Sequence, residues 1–393
     1  MEATQNLKVL FLPAWYPHRG DPMLGLFVQR HAEAVKDYAE VSVLAVVADE
    51  KARQSYEVET KMDKGFTELI IYYKKHQSAF GFLSTFINGY RYLTAHLAGW
   101  KILQQTGFRP DINHVHILTR AGLMALYFKI RYGIPYVITE HWSRYLPHNR
   151  SYGGGVHQKL TEKVIRNAAG ISTVSEALKK GMEDSGLHHS NWKIIPNVVD
   201  TKRFYPMTEK RDANKIRFSH ISCFEEQSKN MSGILRAAKK LMDEGLDFEL
   251  LMIGDGPDLR QTKELSEQLD LQKHIRFTGV LEGDELVNEM ASCHFSVIFS
   301  HYETFAIVIP ENLSMGIPVI ATRVGGIPEV LPERFGKLVS PGNEDELAQA
   351  IKEMMRDYTQ YDAEEMHEYV VENYSVEEIG KNFRAFYQTA LQK

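Results

Sequence analysis

Short apolar runs rich in β-branched residues alternate with amphipathic stretches along the whole chain. This alternation predicts βαβ units, in which parallel strands form a buried sheet and helices cover both of its faces. The runs fall into two series, each long enough to form its own sheet. The predicted strands of the first series are 8–14, 41–47, 68–73, 112–117, 136–139, 170–175 and 193–197, with helices such as 27–38 and 119–133 between them. The predicted strands of the second series are 216–222, 248–254, 274–279, 295–300 and 318–322, with helices at 233–245, 259–270 and 283–293.

The two series meet at a turn-rich segment, PNVVDTKRFYP, at residues 196–206. At 393 residues the chain is also too long for one compact core, so two domains are expected. The break places the boundary between them near residue 200, and each is expected to be an α/β doubly wound sheet. Ligands of such sheets bind at the carboxyl ends of the strands, so a substrate is expected in the crevice between the domains.

Composition excludes several other classes of protein. Cys223 and Cys293 are the only cysteines, which argues against a disulfide framework and favours a reducing compartment. No uncharged apolar run reaches the ~18 residues that a membrane span needs. The first apolar run stops at Pro13 and is predicted to be a buried strand, not a signal peptide. A cytoplasmic protein is therefore expected.

Charge and apolar surface are unevenly distributed. The chain carries a net charge of −5, but residues 1–200 hold 24 Lys and Arg against 18 Asp and Glu, a balance of +6, which leaves −11 for residues 201–393. Either this is drift between domains, or the N-terminal half meets an anionic surface or substrate. The apolar, aromatic segment 78–102 follows Lys74 and Lys75; it is predicted to be either a core helix or a helix resting on a membrane interface.

The stretch HYETFAIVIPENLSMG, residues 301–316, comes directly after a predicted strand. Pro310 is tolerated only in the first turn of a helix, and Gly316 can end a helix in a left-handed conformation. A short helix is therefore predicted from about Val308 to Met315.

Two carboxylates flank the start of this short helix. Glu303 lies in the loop before it, and Glu311 lies in its opening turns. The N–H groups of residues 306–308 are expected to be open to an anionic oxygen, and Glu311 can accept two hydrogen bonds from a cis-diol such as ribose. The alternative is that both carboxylates are there only because they favour the positive end of a helix.

This stretch continues into MGIPVIATRVGGIPE (315–329), and with the E-x7-E spacing of Glu303 and Glu311 it resembles the donor-binding stretch of retaining glycosyltransferases of family 4. A series of motifs in one fixed order identifies a family far more specifically than a single glycine-rich loop does. The resemblance runs through nearly the whole chain and includes PAWYPHRGDPMLGLFVQRHAEAV (13–35), PDINHVHILTRAGLMAL (110–126), GIPYVITEHWSRY (133–145), ISTVSEALKKGM (171–182), IIPNVVDTKRFYP (194–206), QSKNMSGILRAAKKL (227–241), MIGDGP (252–257) and FTG (277–279).

The family has the GT-B fold, in which two Rossmann-like doubly wound domains face a central cleft. The resemblance therefore implies an acceptor-side domain at 1–200 and a nucleotide-sugar donor-binding domain at 201–377. It also implies that a C-terminal helix at about 378–393 packs back on the first domain. The implied activity is that of a hexosyltransferase whose donor substrate is a UDP- or GDP-linked sugar.

The resemblance also implies roles for residues of the C-terminal domain. Glu303 is expected to contact the donor sugar, and Glu311 is expected to hold the ribose. Thr304 and Ala306 stand where many relatives have glycine, which makes the backbone less free. The other expected donor-site positions, several of which offer backbone N–H groups to the sugar or phosphates, are Gly254, Val280, Thr304, Phe305, Ala306 and Ile307.

A diphosphate needs positive charge nearby, and here the sequence departs from the family. Lys229 matches the family's phosphate-binding lysine. Cys223 stands at the usual arginine position, and Ser222 replaces the usual glycine. A charge-assisted hydrogen bond to phosphate contributes about 1.5–3 kcal/mol, so the departure matters for donor affinity. Arg323 and His220 are the candidates to compensate.

In the N-terminal domain the resemblance implies that Gly25 brings its backbone close to the donor phosphates. His116 matches a histidine that lines the sugar pocket, and His141 matches a second one on the acceptor side. Trp15 and Tyr16 either line the acceptor groove, where they would stack on a sugar, or belong to the core.

The implied mechanism uses positioning and needs neither a protein base nor a cofactor. A phosphate oxygen of the leaving group accepts the acceptor's proton, so Glu303 and His116 act as catalytic residues by orienting the sugar. No metal site is expected, because the chain has no Asp-x-Asp pair and neither cysteine has the spacing of a metal ligand.

The expected partners are a nucleotide-sugar and a glycan or lipid-linked sugar acceptor. Peripheral contact of the N-terminal domain with the inner face of a membrane is a further expectation, and no nucleic acid is expected. Such an enzyme would serve polysaccharide or glycoconjugate assembly. The alternatives are another GT-B enzyme, such as a nucleotide-sugar epimerase or a phosphorylase, and a non-catalytic nucleotide-sugar-binding protein.

Overall fold

The computed structural model describes residues 7–77, 81–118, 120–149, 152–207, 211–212 and 215–392, apart from the side chain of residue 82. The first half of the chain alternates strands and helices. Its strands are β1 (Lys8–Pro13), β2 (Glu40–Asp49), β3 (Tyr56–Lys61), β4 (Thr67–Lys74), β5 (Ile112–His116), β6 (Tyr136–Glu140), β7 (Gly170–Thr173) and β8 (Trp192–Ile194). Its helices are α1 (Leu26–Val35), α2 (Gly81–Gln105), α3 (Arg120–Tyr132), α4 (Gly155–Asn167) and α5 (Glu176–Asp184).

The second half repeats this alternation and ends in three longer helices. Its strands are β9 (Arg217–Ile221), β10 (Glu249–Ile253), β11 (Ile275–Gly279), β12 (Phe295–Ile298), β13 (Val319–Thr322) and β14 (Gly336–Val339). Its helices are α6 (Glu226–Lys229), α7 (Met231–Asp243), α8 (Leu259–Gln268), α9 (Gly283–Ala291), α10 (Val308–Ser314), α11 (Ile327–Val330), α12 (Glu344–Asp357), α13 (Ala363–Tyr374) and α14 (Val376–Leu391).

The strands form two separate sheets. The first has eight strands in the order β3-β4-β2-β1-β5-β6-β7-β8, and the second has six in the order β11-β10-β9-β12-β13-β14. Alternate residues of β1 face opposite sides: Leu10 and Leu12 pack with residues of α2 and α3, whereas Val9 and Phe11 pack with residues of α1 and α14. In the second sheet, Val297 of β12 packs with residues of α7 and α12, whereas Ile298 packs with residues of α10 and α13. Both sheets are thus covered on both faces, as the apolar strands predict.

Two edge strands were not predicted. β3 pairs with β4 in the antiparallel sense, so the first sheet is not wholly parallel. Its sequence, YEVETK, has four polar residues out of six, and none of the six is buried, as expected for an edge strand. β14 (GKLV) is only four residues long and pairs with β13. Neither segment has the long apolar run that identifies a buried strand.

The chain crosses between the two sheets twice, at neighbouring points. The first crossing follows β8, and there the N–H of Val199 donates to the carbonyl oxygen of Tyr374 at 2.8 Å. The second crossing is at Ser375, which pairs with Val199 and caps α14. From there α14 runs back along α1, where a Cβ on Gly380 would lie 2.3 Å from the carbonyl oxygen of Ala34. The two crossings form a compact connection between the domains.

The helix α2 accounts for the apolar segment predicted at 78–102, of which residues 78–80 lie outside the described part. Its later half is core, because Ala95, Trp100 and Leu103 are buried. Its earlier half exposes large apolar side chains, among them Phe86 at 70% and Tyr90 at 62%. The segment is therefore a core helix at one end and an exposed apolar helix at the other. Among the described helices none is long and apolar enough to cross a bilayer.

Candidate active site

Two glycines fix the backbone of the loop that carries Glu303, between β12 and α10. A Cβ on Gly325 would lie 1.9 Å from the carbonyl oxygen of Glu303, and one on Gly326 would lie 2.2 Å from that of Thr304. The N–H of Gly326 donates to the Glu303 carbonyl oxygen at 3.2 Å. Gly325 also has a φ of 49°, which glycine adopts without a steric cost. The glycines of the VGGIP motif therefore hold Glu303 in place at the end of the sheet.

Glu303 contacts Lys229, which ends the short helix α6. The Nζ of Lys229 lies 2.5 Å from Oε1 of Glu303, and Ser300 Oγ donates to the same oxygen at 3.0 Å. Burial lowers the pKa of Lys229, but the nearby negative charge of Glu303 and this hydrogen bond outweigh burial and raise the pKa above its ordinary value. Lys229 is therefore charged at neutral pH. The structure brings together the residues that the sequence predicted for the donor's sugar and phosphate.

The turn between Glu303 and α10 passes through a strained residue. Ala306 has a φ of 57°, in the left-handed region where glycine is favoured, so its backbone is indeed restricted. The N–H groups of Phe305, Ala306 and Ile307 make no hydrogen bond to any residue of the described chain. The Phe305 ring is buried edge-on against Tyr374, which anchors the turn. The predicted short helix follows as α10.

The position of the missing arginine holds no cation. Cys223 lies at the surface, but neighbouring groups partly cover its thiol. This partial burial raises the pKa of the thiol, so the thiol is neutral at pH 7. His220 is buried and hydrogen-bonded to Ser222 Oγ at 2.8 Å, and burial lowers the pKa of His220 to about 4. A neutral histidine cannot replace the arginine. Arg323 is half exposed, with a nitrogen 3.9 Å from a carboxylate oxygen of Glu333.

The remaining expected donor-site positions lie at the same ends of neighbouring strands. Gly254 follows β10 with a φ of 130°, and a Cβ there would lie 1.9 Å from the carbonyl oxygen of Ser222. Only glycine therefore fits between the loops after β9 and β10. Val280 follows β11 and is 51% exposed, so its side chain is accessible at this edge.

Glu311 connects the two domains. It is 6% exposed, and its Oε1 lies 2.6 Å from Nη1 of Arg30, a residue of α1 in the other domain. Such a partly buried, hydrogen-bonded ion pair is costly to break from one side only. In the structure, therefore, one oxygen of the residue predicted to hold ribose is already bonded across the cleft.

A second carboxylate also crosses between the domains. Glu329 accepts hydrogen bonds from the N–H groups of Glu176 and Ala177 at 2.7 and 2.8 Å, at the start of α5. A carboxylate is favoured there by the unpaired N–H groups and by the helix dipole. Neither Arg30 nor Glu329 was singled out from the sequence, because their partners lie far away along the chain.

In the N-terminal domain, Gly25 comes directly before α1 with a φ of 70°. A Cβ there would lie 2.4 Å from the carbonyl oxygen of Trp15. The loop after β1 therefore packs directly against the backbone of Gly25, where no side chain fits. Trp15 is half-buried, and its ring lies 5.3 Å from that of Trp142. Tyr16 is not in a groove: it is 2% exposed, and its hydroxyl donates to buried Glu68. Of the two aromatic candidates, Tyr16 is a core residue and Trp15 is accessible.

His116 and His141 lie together with a third histidine, His31. His116 Nδ1 and His141 Nε2 are 3.2 Å apart, and His31 Nε2 lies 3.1 Å from the carbonyl oxygen of Pro196. Burial lowers the pKa of all three, that of His31 to about 4, so they are neutral at pH 7. One ring nitrogen from each lies within 4.8 Å of the others. Among the described residues these three histidines are therefore a group that could hold a metal ion, which was not expected from the sequence.

Glu140, at the end of β6, is a further residue that the sequence did not reveal. It is buried, and its two oxygens accept hydrogen bonds from the N–H groups of Leu118, His141 and Trp142 at 2.8 to 2.9 Å. These bonds oppose the effect of burial, which raises the pKa of Glu140. Glu140 thereby fixes the two loops that carry His141 and the end of β5.

Comparison with known families agrees with this architecture. Residues 32–203 match the family described as "Glycosyltransferase Family 4", and residues 206–375 match "Glycosyl transferases group 1". Together the two matches leave only residues 1–31, 204–205 and 376–393 outside. The chain therefore belongs to glycosyltransferase family 4, and it has the GT-B fold.

One curated relative matches almost the full chain. An uncharacterized glycosyltransferase of Methanocaldococcus jannaschii, MJ1178, is 27% identical over 350 residues, which are 89% of this chain and 88% of that one. Several other curated relatives are matched over only about half of their own length. The protein is a glycosyltransferase, as these relatives are.

Solved structures show the same fold at low identity. Sucrose-phosphate synthase from Thermosynechococcus elongatus has a TM-score of 0.78 at 17% identity, with 99% of this chain and 100% of that one covered. Anabaena Alr3699/HepE, solved in complex with UDP-glucose, has a TM-score of 0.73 at 18% identity, with 98% and 100% covered. The two-domain GT-B architecture predicted from the sequence is thus confirmed.

Proposed function

We propose that this glycosyltransferase moves a hexose, with retention of anomeric configuration, from a UDP- or GDP-linked sugar to a glycan or a lipid-linked sugar. The observation that carries this proposal is the contact of Lys229 with Glu303. The donor bond that breaks joins a sugar carbon to a phosphate oxygen. A carboxylate that positions the sugar and an ammonium that holds the phosphate should therefore be neighbours. The complex of HepE with UDP-glucose, on the same fold, supports a nucleotide-sugar donor.

The ribose is proposed to bind at Glu311. Arg30 engages Oε1 of this carboxylate, which leaves Oε2 to accept a hydroxyl hydrogen bond. Because Arg30 belongs to the acceptor-side domain, a donor held at Glu311 would lie where the two domains meet. The proposed donor site therefore runs from Glu311 through the turn at 305–307 to Glu303 and Lys229.

In the proposed reaction the bond between the anomeric carbon and the phosphate oxygen breaks, and the acceptor oxygen bonds to the same face of that carbon. The acceptor's proton passes to a phosphate oxygen of the leaving diphosphate. Lys229 and the N–H groups of residues 305–307 stabilise the charge that develops there, which is why we propose that no metal is needed. His116 is buried and neutral and lies against His141, so its proposed role is to shape the sugar pocket.

A panel of UDP- and GDP-sugars, screened by thermal shift, tests the donor assignment. A ligand present at 100 times its dissociation constant stabilises the protein by about 2.7 kcal/mol, so a true donor should raise the melting temperature clearly. NMR of the sugar released by slow donor hydrolysis, or transferred to an added glycan, then gives the anomeric configuration. An inverted product would contradict retention.

The same assay separates the alternatives. An epimerised donor in the absence of any acceptor would identify an epimerase, and sugar 1-phosphate formed from a glycan and phosphate would identify a phosphorylase. Donor binding with neither hydrolysis nor transfer would identify a non-catalytic binding protein. The contact of Lys229 with Glu303 supports an enzyme over a binding protein, because charge stabilisation beside the sugar–phosphate bond would be needed only if that bond breaks. Membership of the glycosyltransferase family favours the transferase among the enzymes.

We further propose that the acceptor-side domain rests peripherally on the inner face of an anionic membrane. Residues 74–167 hold 13 Lys and Arg against 3 Asp and Glu, and the helices of this segment expose large apolar side chains. Apolar side chains and cations on one surface suit a lipid interface. The exposed apolar residues of α2, α3 and α4 are Leu83, Phe86, Tyr90, Leu93, Leu123, Tyr127, Ile130, Tyr132, Val156 and Leu160.

Co-sedimentation with vesicles tests the membrane contact. Binding to vesicles containing phosphatidylglycerol, weaker binding to phosphatidylcholine alone and loss of binding in the F86S/Y90S variant are expected. Tyr205→Ser removes an exposed aromatic residue from the other domain and is the matched control, which should bind like the parent. Equal sedimentation of parent and F86S/Y90S would contradict the proposed surface.

A further inference from the structure

A short 3-10 helix, Ser143–Tyr145, follows β6 on the acceptor side of the cleft. It packs on α5: a Cβ on Gly181 would lie 2.5 Å from the carbonyl oxygen of Tyr145. The start of α5 is the point that Glu329 of the donor-binding domain reaches. The turn of Ser143–Tyr145 is therefore held close to the line where the domains meet.

Arg144, in this turn, is held by aromatic rings. It is 8% exposed, and its guanidinium carbon lies 4.5 Å from the centre of the Trp142 ring, 5.2 Å from that of Tyr152 and 5.5 Å from that of Tyr145. Stacking on aromatic faces is favourable for a weakly hydrated guanidinium. Trp15 packs against the Trp142 ring and extends the aromatic surface to the end of β1.

The charge of Arg144 has no carboxylate partner within ion-pair distance among the described residues. Glu140, the acid that acts on it electrostatically, already accepts three backbone hydrogen bonds. The Nε of Arg144 is buried and has no hydrogen-bond partner in the described chain. A guanidinium has five N–H donors, and a buried charge without a counter-charge is costly. The aromatic rings orient this donor set but cannot accept hydrogen bonds in its plane.

We propose that Arg144 is the centre of an acceptor subsite that binds an anionic group, a phosphate or a carboxylate, on the sugar that receives the transferred hexose. The half-buried rings of Trp15 and Trp142 would face the sugar, and the fork of Arg144 would bind the anion. This inference rests on the proposed function, and it narrows the acceptor class to phosphorylated or acidic sugars. Planar, two-point binding of such groups is what arginine provides and lysine does not.

Binding is measured by tryptophan fluorescence on the full chain saturated with UDP, or with GDP if the donor panel selects GDP, so that the donor site is already occupied. Glucose 6-phosphate and glucuronate are the anionic probes, and glucose is the neutral one. We expect the anionic sugars to bind and glucose to bind roughly tenfold more weakly or not at all, the difference of one charge-assisted hydrogen bond. Equal affinity for glucose and glucose 6-phosphate would overturn the proposal.

Arg144→Gln should weaken glucose 6-phosphate binding roughly tenfold or more, with Arg144→Lys between it and the parent. UDP affinity should stay unchanged in both, which shows that the fold and the donor site are intact. Arg131→Gln is the matched control, because Arg131 also lies over a tyrosine ring but is exposed on α3. If Arg144→Gln binds the sugar phosphate as the parent does, Arg144 is a structural residue only.

A second variant keeps the test decisive if Arg144→Gln does not fold. Trp15→Ala should weaken the binding of glucose 6-phosphate but leave the binding of inorganic phosphate unaffected, because only glucose 6-phosphate has a sugar face that can stack on the ring. Equal loss of both ligands, or of neither, would contradict the subsite. Failure of both UDP and GDP to bind the parent would count against the proposed function, whereas failure of the sugar phosphate alone would count against this subsite.

The anion could belong to a soluble sugar or to a lipid headgroup. Vesicles containing phosphatidylinositol 4-phosphate separate these sources. Displacement of glucose 6-phosphate from the parent by such vesicles, and not by vesicles of phosphatidylglycerol without the phosphoinositide, would place a lipid headgroup at Arg144. Binding of the free sugar phosphate without such displacement would point to a soluble or lipid-linked sugar phosphate instead.

Discussion

At the scale of single residues, the donor site combines a strained turn with charges that are already paired. Ala306 keeps a left-handed backbone without being glycine, and Lys229 and Glu303 neutralise each other before any donor arrives. A donor therefore has to replace this contact with its own sugar and phosphate contacts. Pairing keeps both side chains oriented in the meantime, at the cost of part of the binding energy.

Ala306→Gly should stabilise the protein by about 0.5–1 kcal/mol. The left-handed conformation costs a non-glycine residue about 1–2 kcal/mol, and part of that gain is lost to the greater freedom of glycine in the unfolded chain. Denaturant unfolding measures the difference. Ala385→Gly, on an exposed face of α14, is the control of opposite sign and should destabilise by about 1 kcal/mol. Destabilisation by both variants to a similar extent would contradict the strain at Ala306.

The buried histidines predict how stability depends on pH. Burial lowers the pKa of His31 and of His220 to about 4, and it lowers the pKa of His114, His116 and His141 as well. In the unfolded chain these groups bind protons below a pH of about 6.5, whereas in the folded chain they do not. Stability is therefore complete above about pH 6.5 and falls as pH drops towards 4, by up to about 1.4 kcal/mol per unit for each histidine. Melting temperatures measured from pH 7.5 to 5 check this, and a curve without such a fall would contradict it.

At the scale of helices and strands, the central parallel strands of both sheets were predictable from the sequence, whereas the edge strands β3 and β14 were not. The central strands β1, β2, β9 and β12 start or end within about two residues of their predicted positions, because buried parallel strands are marked by continuous apolar runs. β3 is mostly polar, and its identity depends on pairing with β4, which no local pattern reveals.

The helix α14 belongs to the core of the acceptor-side domain, although it comes last in the chain. Ile379, Phe383 and Tyr387 are fully buried, and the Tyr387 hydroxyl lies 2.7 Å from Nδ1 of His114 on β5. The resemblance to the family implied this return. Composition alone could not imply it. An amphipathic pattern shows that one face of a helix is buried, but it does not show which element covers that face.

Gly380→Ala should destabilise the protein by about 1–3 kcal/mol. Its new Cβ would meet the carbonyl oxygen of Ala34 at 2.3 Å, and this overpacking exceeds the gain in helix propensity of about 1 kcal/mol. Gly89→Ala is the matched control, because a Cβ at this position of α2 has no other atom within 4 Å. That variant should be stabilised by up to about 1 kcal/mol. If both glycines respond alike to alanine, the close packing of α14 on α1 is wrong.

At the scale of the whole molecule, two carboxylates hold the domains together. Glu311 reaches Arg30, 281 positions away, and Glu329 reaches the N–H of Glu176, 153 positions away. No pattern in the sequence connects such distant residues, which is why these contacts were not predicted. The E-x7-E spacing that marks Glu303 and Glu311, by contrast, is local and was recognised directly. The contacts between the domains are thus the part of the site that only the structure reveals.

Glu329→Ala should open the cleft of the free protein. It removes two hydrogen bonds from a charged acceptor at the start of α5, which together favour the closed arrangement by roughly 2–4 kcal/mol. Small-angle X-ray scattering should show a larger radius of gyration, and hydrolysis of the donor by water should become a larger share of turnover. Glu333→Ala, an exposed neighbour, is the control, and identical scattering by both variants would contradict the role of Glu329 in closure.

The central claim is that Glu311 holds the ribose while Glu303 holds the sugar of one donor. Titration calorimetry of the matching UDP-sugar and of UDP alone, on the parent and on two variants, tests this directly. Both ligands carry ribose, so Glu311→Gln should weaken both, by roughly tenfold. Only one carries the sugar, so Glu303→Gln should weaken the UDP-sugar. It should not weaken UDP, because the variant frees Lys229 from its ion pair and leaves it available to the diphosphate. The exposed Glu267→Gln should be unchanged throughout. If Glu311→Gln binds UDP as tightly as the parent, or if Glu303→Gln weakens UDP as much as the UDP-sugar, the assignment of the two carboxylates is wrong.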